Sequence, residues 1–210
     1  NYFKYCFLKP SGLEFDEVAL QEDFEHLADD LLVGADTQTF LYRDFNSRNV
    51  MINNEEPYFI DFQGGLQGPI YYDVASFVWH ARSGYAESLK EKMLQTYLNA
   101  LSKYTSVDEA AFRTQLRKYV LFRSLQVLAA YGFRGLVEQK ANFVVGIPAA
   151  ISALGEILKL HFDEYPCLMT LLESLTKLPK FASQETEEGV LEVKVCSFSF
   201  KKGVDRKSVV

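Results

Sequence analysis

The sequence predicts a mainly α-helical domain with a small β-hairpin. Several segments place apolar residues at three- and four-residue steps between glycine or proline breaks, which is the period of an amphipathic helix. One stretch differs, because residues 50–52 and 58–60 are rich in β-branched and aromatic side chains and flank a turn-like segment at 53–57. With 210 residues, 48% of them hydrophobic, the chain can bury a substantial core.

The first third of the chain is predicted to form two helices before the hairpin. Residues 2–8 are apolar and aromatic and read as the end of a helix that residues 9–12 break. A longer amphipathic helix covers residues 15–31 and stops at Gly34. We expect this helix to bury one face under the hairpin and to deliver residues 39–41 into the loop that follows them.

The segments after the hairpin are predicted to be helical as well. Residues 63–69 read as a flexible polar connection whose glycines allow close approach of a ligand, or as a plain surface loop. Residues 72–82 then form a buried helix, and we interpret its His80 as a hydrogen-bonded core residue. The next amphipathic helix spans residues 89–101.

Capping signals place the last helices. Ser106 and Glu109 have the spacing of a capping box and should open a long helix to about residue 131. Pro148 and Pro166 each stand where a helix can begin, because proline's missing N–H costs nothing in a first turn.

Charge and cysteine content argue against several classes of protein. The formal net charge of −6 does not favour binding to nucleic acid or to an anionic membrane surface. The cysteines are three in number, far apart and without metal-ligand spacing, which is typical of thiols in a reducing compartment, so we expect a cytoplasmic protein. The longest apolar stretch, residues 143–158, contains Pro148 and Glu156 and is expected to fall short of a membrane span.

A group of polar side chains surrounds the predicted hairpin. If the turn centres on Glu55, Asn49 lies opposite Asp61, with Cα atoms about 4.5–5.5 Å apart. An amide oxygen and a carboxylate in that position could share a hard cation such as Mg²⁺. Asp44 lies just before this pair. Asp and Asn are also ordinary turn residues, so this spacing by itself is a weak signal.

The wider pattern resembles the catalytic loop and metal-binding motif of protein kinases. It consists of Arg43-Asp44, four residues, Asn49, and a hairpin ending in Asp61-Phe62. Tyr42 stands where a protein kinase has histidine, and Gln63 stands where it has glycine. Nothing resembles an activation segment ending in Ala-Pro-Glu, so a protein kinase is the least favoured reading.

The segments RDFNSRNVMI, IDFQ and GPIYYDVASFVW more specifically resemble the aminoglycoside phosphotransferase (APH)-type small-molecule kinases. The resemblance is greatest to bacterial anomeric kinases of the cell-wall amino sugars N-acetylmuramate and N-acetylglucosamine. It implies ATP and Mg²⁺ as cofactors, Asp44 as catalytic base, and Asn49 and Asp61 as metal ligands. It also implies that Asp73 and Arg43 support the catalytic loop.

The resemblance also implies that the helical half lines the acceptor pocket. Candidate substrate-binding residues are the polar groups near the loop and on the long helix, namely Asn46, Arg48, Gln63, Arg123, Gln126 and Arg134. Salt bridges between helices are an equal alternative for those of the long helix. Asn46 stands where this family more often has histidine.

The end of the chain has a different character. Residues 180–189 read as a polar linker, and the alternating pattern of residues 190–204 predicts a strand. VLEVKVCSFSFKKG resembles the opening of the C-terminal domain of RapZ-type RNase adapter proteins. We interpret residues 190–204 as the start of such a domain, truncated, and residues 205–210 as a translated sequencing-adapter artefact.

These observations together predict residues 1–179 to be a kinase-like C-terminal lobe that lacks its β-rich N-terminal lobe. No β-rich segment with a phosphate-contacting lysine precedes Asp44. We expect a phosphotransferase acting on an amino sugar, with aminoglycoside, choline or another small alcohol left open, and we expect this fragment alone to be inactive. The alternative is a catalytically weak amino-sugar sensor coupled to the RapZ-like domain.

Overall fold

The computed structural model describes residues 1–35 and 39–181. The helices in chain order are α1 (Lys9–Ser11), α2 (Glu17–Leu32), α3 (Tyr71–Val78), α4 (Glu87–Leu101), α5 (Glu109–Tyr131), α6 (Ala141–Val144), α7 (Ile147–Leu158) and α8 (Pro166–Thr176). The strands are β1 (Thr39–Leu41), β2 (Val50–Asn53), β3 (Glu56–Phe59) and β4 (Leu66–Gly68). Two π-helical segments, Lys4–Leu8 and Gly132–Val137, and two 3₁₀ turns, Ser47–Asn49 and Pro179–Phe181, complete the described elements.

The prediction of a mainly helical chain with a small hairpin agrees with this architecture. Most of the predicted linker, the strand at 190–204 and the last six residues lie outside the described residues. The lobe assignment and the truncation are therefore expectations that the fold does not test.

The core is built around α5, which packs against α2, α3, α7 and both π-helical segments. Its apolar positions recur at helical spacing, so that Leu121 and Leu128 are fully buried. Other fully buried side chains in this core are Phe7, Leu20, Leu154, Phe162, Tyr165, Leu168 and Leu172.

The helix predicted at 15–31 begins later and packs elsewhere than expected. Asp16 is its N-cap, since its carboxylate accepts the backbone N–H groups of Val18 at 2.9 Å and Ala19 at 3.1 Å. The apolar face of α2 packs against α8 and α5. The expectation that it would lie chiefly under the hairpin was wrong, because the larger apolar partner surface belongs to the helices.

Two further boundaries differ from the sequence prediction. The long helix α5 begins at Glu109 with Asp108 as N-cap, whose carboxylate accepts from Ala111 N–H at 3.0 Å, so the capping box from Ser106 does not form. Helix α3 ends at Val78 with Trp79 as its C-cap. His80 therefore lies beyond the helix on which it was predicted.

The hairpin forms with a register shifted by one residue from the predicted one. Strands β2 and β3 pair Val50 with Phe59 and Asn53 with Glu56. Asn54 and Glu55 form the two-residue turn, both with positive φ (51° and 66°), which is the type I′ geometry that suits hairpin twist.

A second two-stranded sheet, β1 with β4, was not predicted. Its register pairs Thr39 with Gly68 and Leu41 with Leu66. A Cβ on Gly68 would lie 2.3 Å from the Leu41 side chain, so glycine is needed for this close packing. The connection at 63–69 thus returns the chain to the start of the catalytic-loop segment.

Two helical stretches, Glu109–Val137 and Ala141–Leu158, are long and apolar enough to cross a membrane by length and composition alone. This corrects the expectation that residues 143–158 fall short of a span. The evidence for a membrane helix is weak, because these stretches supply buried core residues such as Leu121 and Leu154.

Candidate active site

The loop after β1 is held by a carboxylate from α3. Asp73 accepts the backbone N–H groups of Tyr42 at 2.6 Å and Arg43 at 3.0 Å. Arg43 has a left-handed backbone (φ 74°), and its guanidinium donates to the Gly64 carbonyl at 3.2 Å. These contacts determine where the chain emerges at Asp44.

Asp44 anchors the turn that follows it. Its backbone carbonyl accepts hydrogen bonds from the side-chain amides of Asn46 and Asn49, both at 2.8 Å. Asn46 also accepts from Arg48 N–H at 3.1 Å and so caps the 3₁₀ turn Ser47–Asn49. The Asp44 residue itself is exposed, which leaves its carboxylate accessible on a loop with a defined shape.

Asp61 follows the hairpin with an unusual backbone. Its φ of 66° is rare for a non-glycine residue. Gln63 donates its amide to Asp61 Oδ1 at 2.7 Å. The backbone carbonyl of Asn49 accepts the Ile60 N–H at 3.0 Å, so Asn49 faces Ile60. The predicted direct pairing of Asn49 with Asp61 was therefore wrong by one residue.

Tyr42 connects the loop to the hairpin. Its hydroxyl donates to the Ile60 carbonyl, which ties the loop to the hairpin. Desolvation and the negative charges of Asp61, Asp44 and Asp73 raise the pKa of Tyr42. Tyr42 therefore links the loop before Asp44 to the end of the hairpin before Asp61, although the sequence had marked it only as a departure from histidine.

Burial dominates the electrostatics of Asp73. Desolvation raises the pKa of this carboxyl group, while the two backbone hydrogen bonds and the charge of Arg123 act in the opposite direction. The negative charge of Asp44 also raises it, which places the two acids in the same electrostatic neighbourhood.

A polar cluster between α3 and α5 contains two of the predicted substrate-binding residues. Arg123 donates through Nη1 to Tyr72 Oη at 2.6 Å and Gln126 Oε1 at 2.7 Å, and through Nη2 to Ser76 Oγ at 3.0 Å. Its guanidinium also lies 4.6 Å from the centre of the Tyr72 ring. Tyr72 and Ser76 were not singled out in the sequence, although both lie on the α3 segment of the GPIYYDVASFVW motif.

Arg134 lies apart from this cluster. It belongs to the π-helical segment Gly132–Val137, and its guanidinium stacks 5.3 Å from the ring centre of Phe143. His80 lines a small cavity beside Arg123, where sequence reasoning had treated it as ordinary core. Burial and the charges of Arg48, Arg82 and Arg123 lower the pKa of His80.

Comparison with known families covers the loop, the hairpin and helices α1 to α4. Residues 9–110 match the APH family model, described as Phosphotransferase enzyme family. The match covers just under half of the chain and supports an APH-type kinase, and with it a phosphotransferase-type enzyme. It includes Asp44, Asn49, Asp61 and Asp73 and ends before Arg123. No curated protein matches the chain.

Asn49 and Asp61 each keep a side-chain oxygen that could bind a magnesium ion. Asn49 uses its amide nitrogen on the Asp44 carbonyl, which leaves its Oδ1 as a donor, and Asp61 accepts from Gln63 with only Oδ1. Mg²⁺ is held in proteins by one or two such oxygens, with waters and substrate phosphates completing the octahedron. Among residues 1–35 and 39–181 no group of three or more His, Cys, Asp or Glu side chains is arranged to hold a metal.

Proposed function

We propose that this protein is an ATP-dependent phosphotransferase that transfers the γ-phosphate to a hydroxyl group of a small molecule, the anomeric hydroxyl of an amino sugar such as N-acetylmuramate or N-acetylglucosamine. The observation that carries this proposal is the fixed loop around Asp44, inside the segment that matches the phosphotransferase family. Asp73 accepts the two backbone N–H groups just before Asp44, and the Tyr42 hydroxyl donates to the carbonyl of Ile60, the residue before Asp61. The resemblance to the anomeric kinases supports the choice of amino sugar.

Each residue has a role that follows from its position. The accessible carboxylate of Asp44 would accept the proton of the attacking hydroxyl, while Asp73 keeps the backbone before it in place. Asn49 and Asp61 would hold Mg²⁺, which supplies charge neutralisation on the phosphates. Most of the rate enhancement would come from positioning the two reactants.

We propose that a β-rich lobe packed on the hairpin completes the nucleotide-binding site. The hairpin and the residues after it expose several large apolar side chains, namely Met51, Ile52, Tyr58, Phe59, Ile60 and Phe62. Large exposed apolar side chains concentrated in one short segment favour an interface there. The 210-residue chain by itself is therefore proposed to be inactive.

The test is phosphate transfer from ATP by protein expressed from the complete gene. The acceptors are N-acetylmuramate, N-acetylglucosamine, an aminoglycoside and choline, and Asp44→Asn is assayed beside the parent. We expect turnover with the amino sugars and a loss of about 10²- to 10⁴-fold in the variant. Asp163→Asn is the matched control, because Asp163 is an exposed acid outside the site and its substitution should leave turnover unchanged. Transfer to none of the acceptors would refute the proposal.

One observation favours a second candidate, a catalytically weak sensor of amino sugars. Gln63 occupies one oxygen of Asp61, and the hairpin register sets Asn49 opposite Ile60, so the metal ligands are less directly paired than in the predicted arrangement. A sensor would bind the sugar without turnover, and Asp44→Asn would leave that affinity nearly unchanged. The same acceptor series, measured for both turnover and binding, separates the two: an enzyme turns over and loses turnover in Asp44→Asn while keeping sugar affinity, whereas a sensor binds the sugar without turnover.

A further inference from the structure

Arg123 is an incompletely satisfied cation. Its three recorded acceptors, on Tyr72, Gln126 and Ser76, are all neutral. Its Nε–H donor is buried and has no acceptor among the residues that the structure describes. Nη1 uses both of its donors, so the free capacity lies on the Nε–Nη2 edge, which is an edge that can bind a carboxylate with two parallel hydrogen bonds.

Two further arginines, Arg48 and Arg82, act electrostatically on His80, which lines the same cavity as Arg123. Arg82 donates to the Asn142 carbonyl at 3.2 Å and lies over the Tyr131 ring, while Arg48 is exposed next to the catalytic turn. Neither forms an ion pair within residues 1–35 and 39–181. Arg113 and Arg117, by contrast, are paired with glutamates. Asp73 is the acid whose pKa the charge of Arg123 lowers, but it uses its oxygens on the backbone N–H groups of Tyr42 and Arg43.

The cavity beside Arg123 is small. It lies between α3, α5 and α7, is lined in part by Trp79 and His80, and measures about 20 Å³. That is room for one water-sized group and not for a sugar ring. The cavity lies next to the catalytic loop, because Ala75 and Ser76 of α3 line it and Asp73, on the same helix, holds the backbone just before Asp44.

We propose that this cavity receives a carboxylate oxygen of the phosphate acceptor, so that the enzyme selects an anionic small-molecule alcohol over its neutral counterpart. Arg123 would bind the carboxylate, with Arg82 and Arg48 adding positive potential at the entrance. This inference rests on the proposed phosphotransfer, because it names the class of acceptor used by the same site.

The competing explanation is structural. Arg123 links α5 to α3 through Tyr72 and Ser76, and a residue with only that role would affect all acceptors equally. The two explanations therefore differ in whether the effect of a substitution depends on the carboxylate of the ligand.

Tryptophan fluorescence can report binding without any turnover. The chain contains a single tryptophan, Trp79, and it lines the cavity. The fluorescence of the protein is titrated with N-acetylmuramate, which carries a carboxylate on an ether side chain, with N-acetylglucosamine, which lacks it, and with inorganic phosphate. We expect N-acetylmuramate to bind about tenfold to hundredfold more tightly than N-acetylglucosamine, the range for a charge-assisted hydrogen bond. Equal responses to the two sugars, no response to either, or tighter binding of inorganic phosphate would each overturn the proposal.

Variants then assign the effect to the arginine. Arg123→Gln should lose the preference for the carboxylate-bearing sugar, whereas Arg113→Gln, on the same helix but paired with Glu91 and Glu109, should retain it. If Arg123→Gln does not fold, the exposed Arg82→Gln should reduce the preference several-fold. Equal weakening of both sugars by Arg123→Gln would instead establish the structural role. Absence of phosphate transfer would refute the proposed function and leave the binding result to decide this inference separately.

Discussion

Replacing Asp73 with asparagine tests whether a single side chain holds the catalytic loop. The carboxylate accepts two backbone hydrogen bonds, from Tyr42 at 2.6 Å and Arg43 at 3.0 Å. Asparagine has the same shape but only one acceptor oxygen, so its NH₂ group must face one of the two N–H donors.

The expected cost follows from that mismatch. One backbone donor in a half-buried position loses its acceptor, and an unsatisfied group of this kind costs about 1–3 kcal/mol of folding free energy. Burial disfavours the charged form of Asp73 and so raises its pKa, and a neutral asparagine avoids this desolvation cost. The expected loss of folding free energy therefore lies in the lower part of that range.

Two measurements check this prediction. Urea denaturation should show the loss of stability, and hydrogen–deuterium exchange should show faster exchange in the peptide that contains Tyr42 and Arg43. Asp163→Asn, at an exposed acid, is the control and should change stability by less than about 0.5 kcal/mol. If Asp73→Asn matches this control in both stability and exchange, Asp73 does not anchor the loop.

The remaining predictions concern the scaffold. Gly132→Ala should destabilise the protein by about 1–3 kcal/mol or more, because the added Cβ would lie 2.1 Å from a backbone carbonyl oxygen of the N-terminal segment. Gly155→Ala, with no atom within 4 Å of the new Cβ, should instead stabilise α7 by up to about 1 kcal/mol, and equal thermal shifts for the two variants would contradict the packing. Hydrogen bonds from Lys4 and Lys9 lower the pKa of Glu17 from 4.5 to about 2. Glu17 therefore contributes stability that is present above pH 4.5 and is lost as the pH falls towards 2, and Glu17→Gln should flatten this part of the stability profile in urea unfolding at pH 2–5.

The helices could be predicted from the sequence because the patterns that mark them are local. The three- and four-residue period of α2, α4 and α5 depends on the geometry of one helix, and prolines near the start of α7 and α8 mark those beginnings directly. The positions of Asp44, Asn49, Asp61 and Asp73 were likewise recognised from a compact motif. Their proposed chemical roles stay predictions.

Two predictions that were wrong concern features for which neighbouring residues compete, namely the N-cap of α5 and the register of the hairpin. Asp108 and Ser106 both offer a cap, and only the folded backbone decides that Asp108 is used. The hairpin turn could centre on Glu55 or fall between Asn54 and Glu55, and a shift of one residue changes which side chain faces Asn49.

The sequence by itself determined the helical class, the hairpin and the loop that carries the candidate catalytic acid, because each of these is encoded within a few turns of chain. Only the tertiary structure decided that β1 pairs with β4, that Asp73 reaches back to Tyr42, and that Arg123 meets Tyr72 on another helix. These contacts join residues far apart in the chain, and they form only when burial of the apolar faces of α3 and α5 brings the two helices together. The unpaired charge beside the cavity is a product of that packing and has no signature in the sequence.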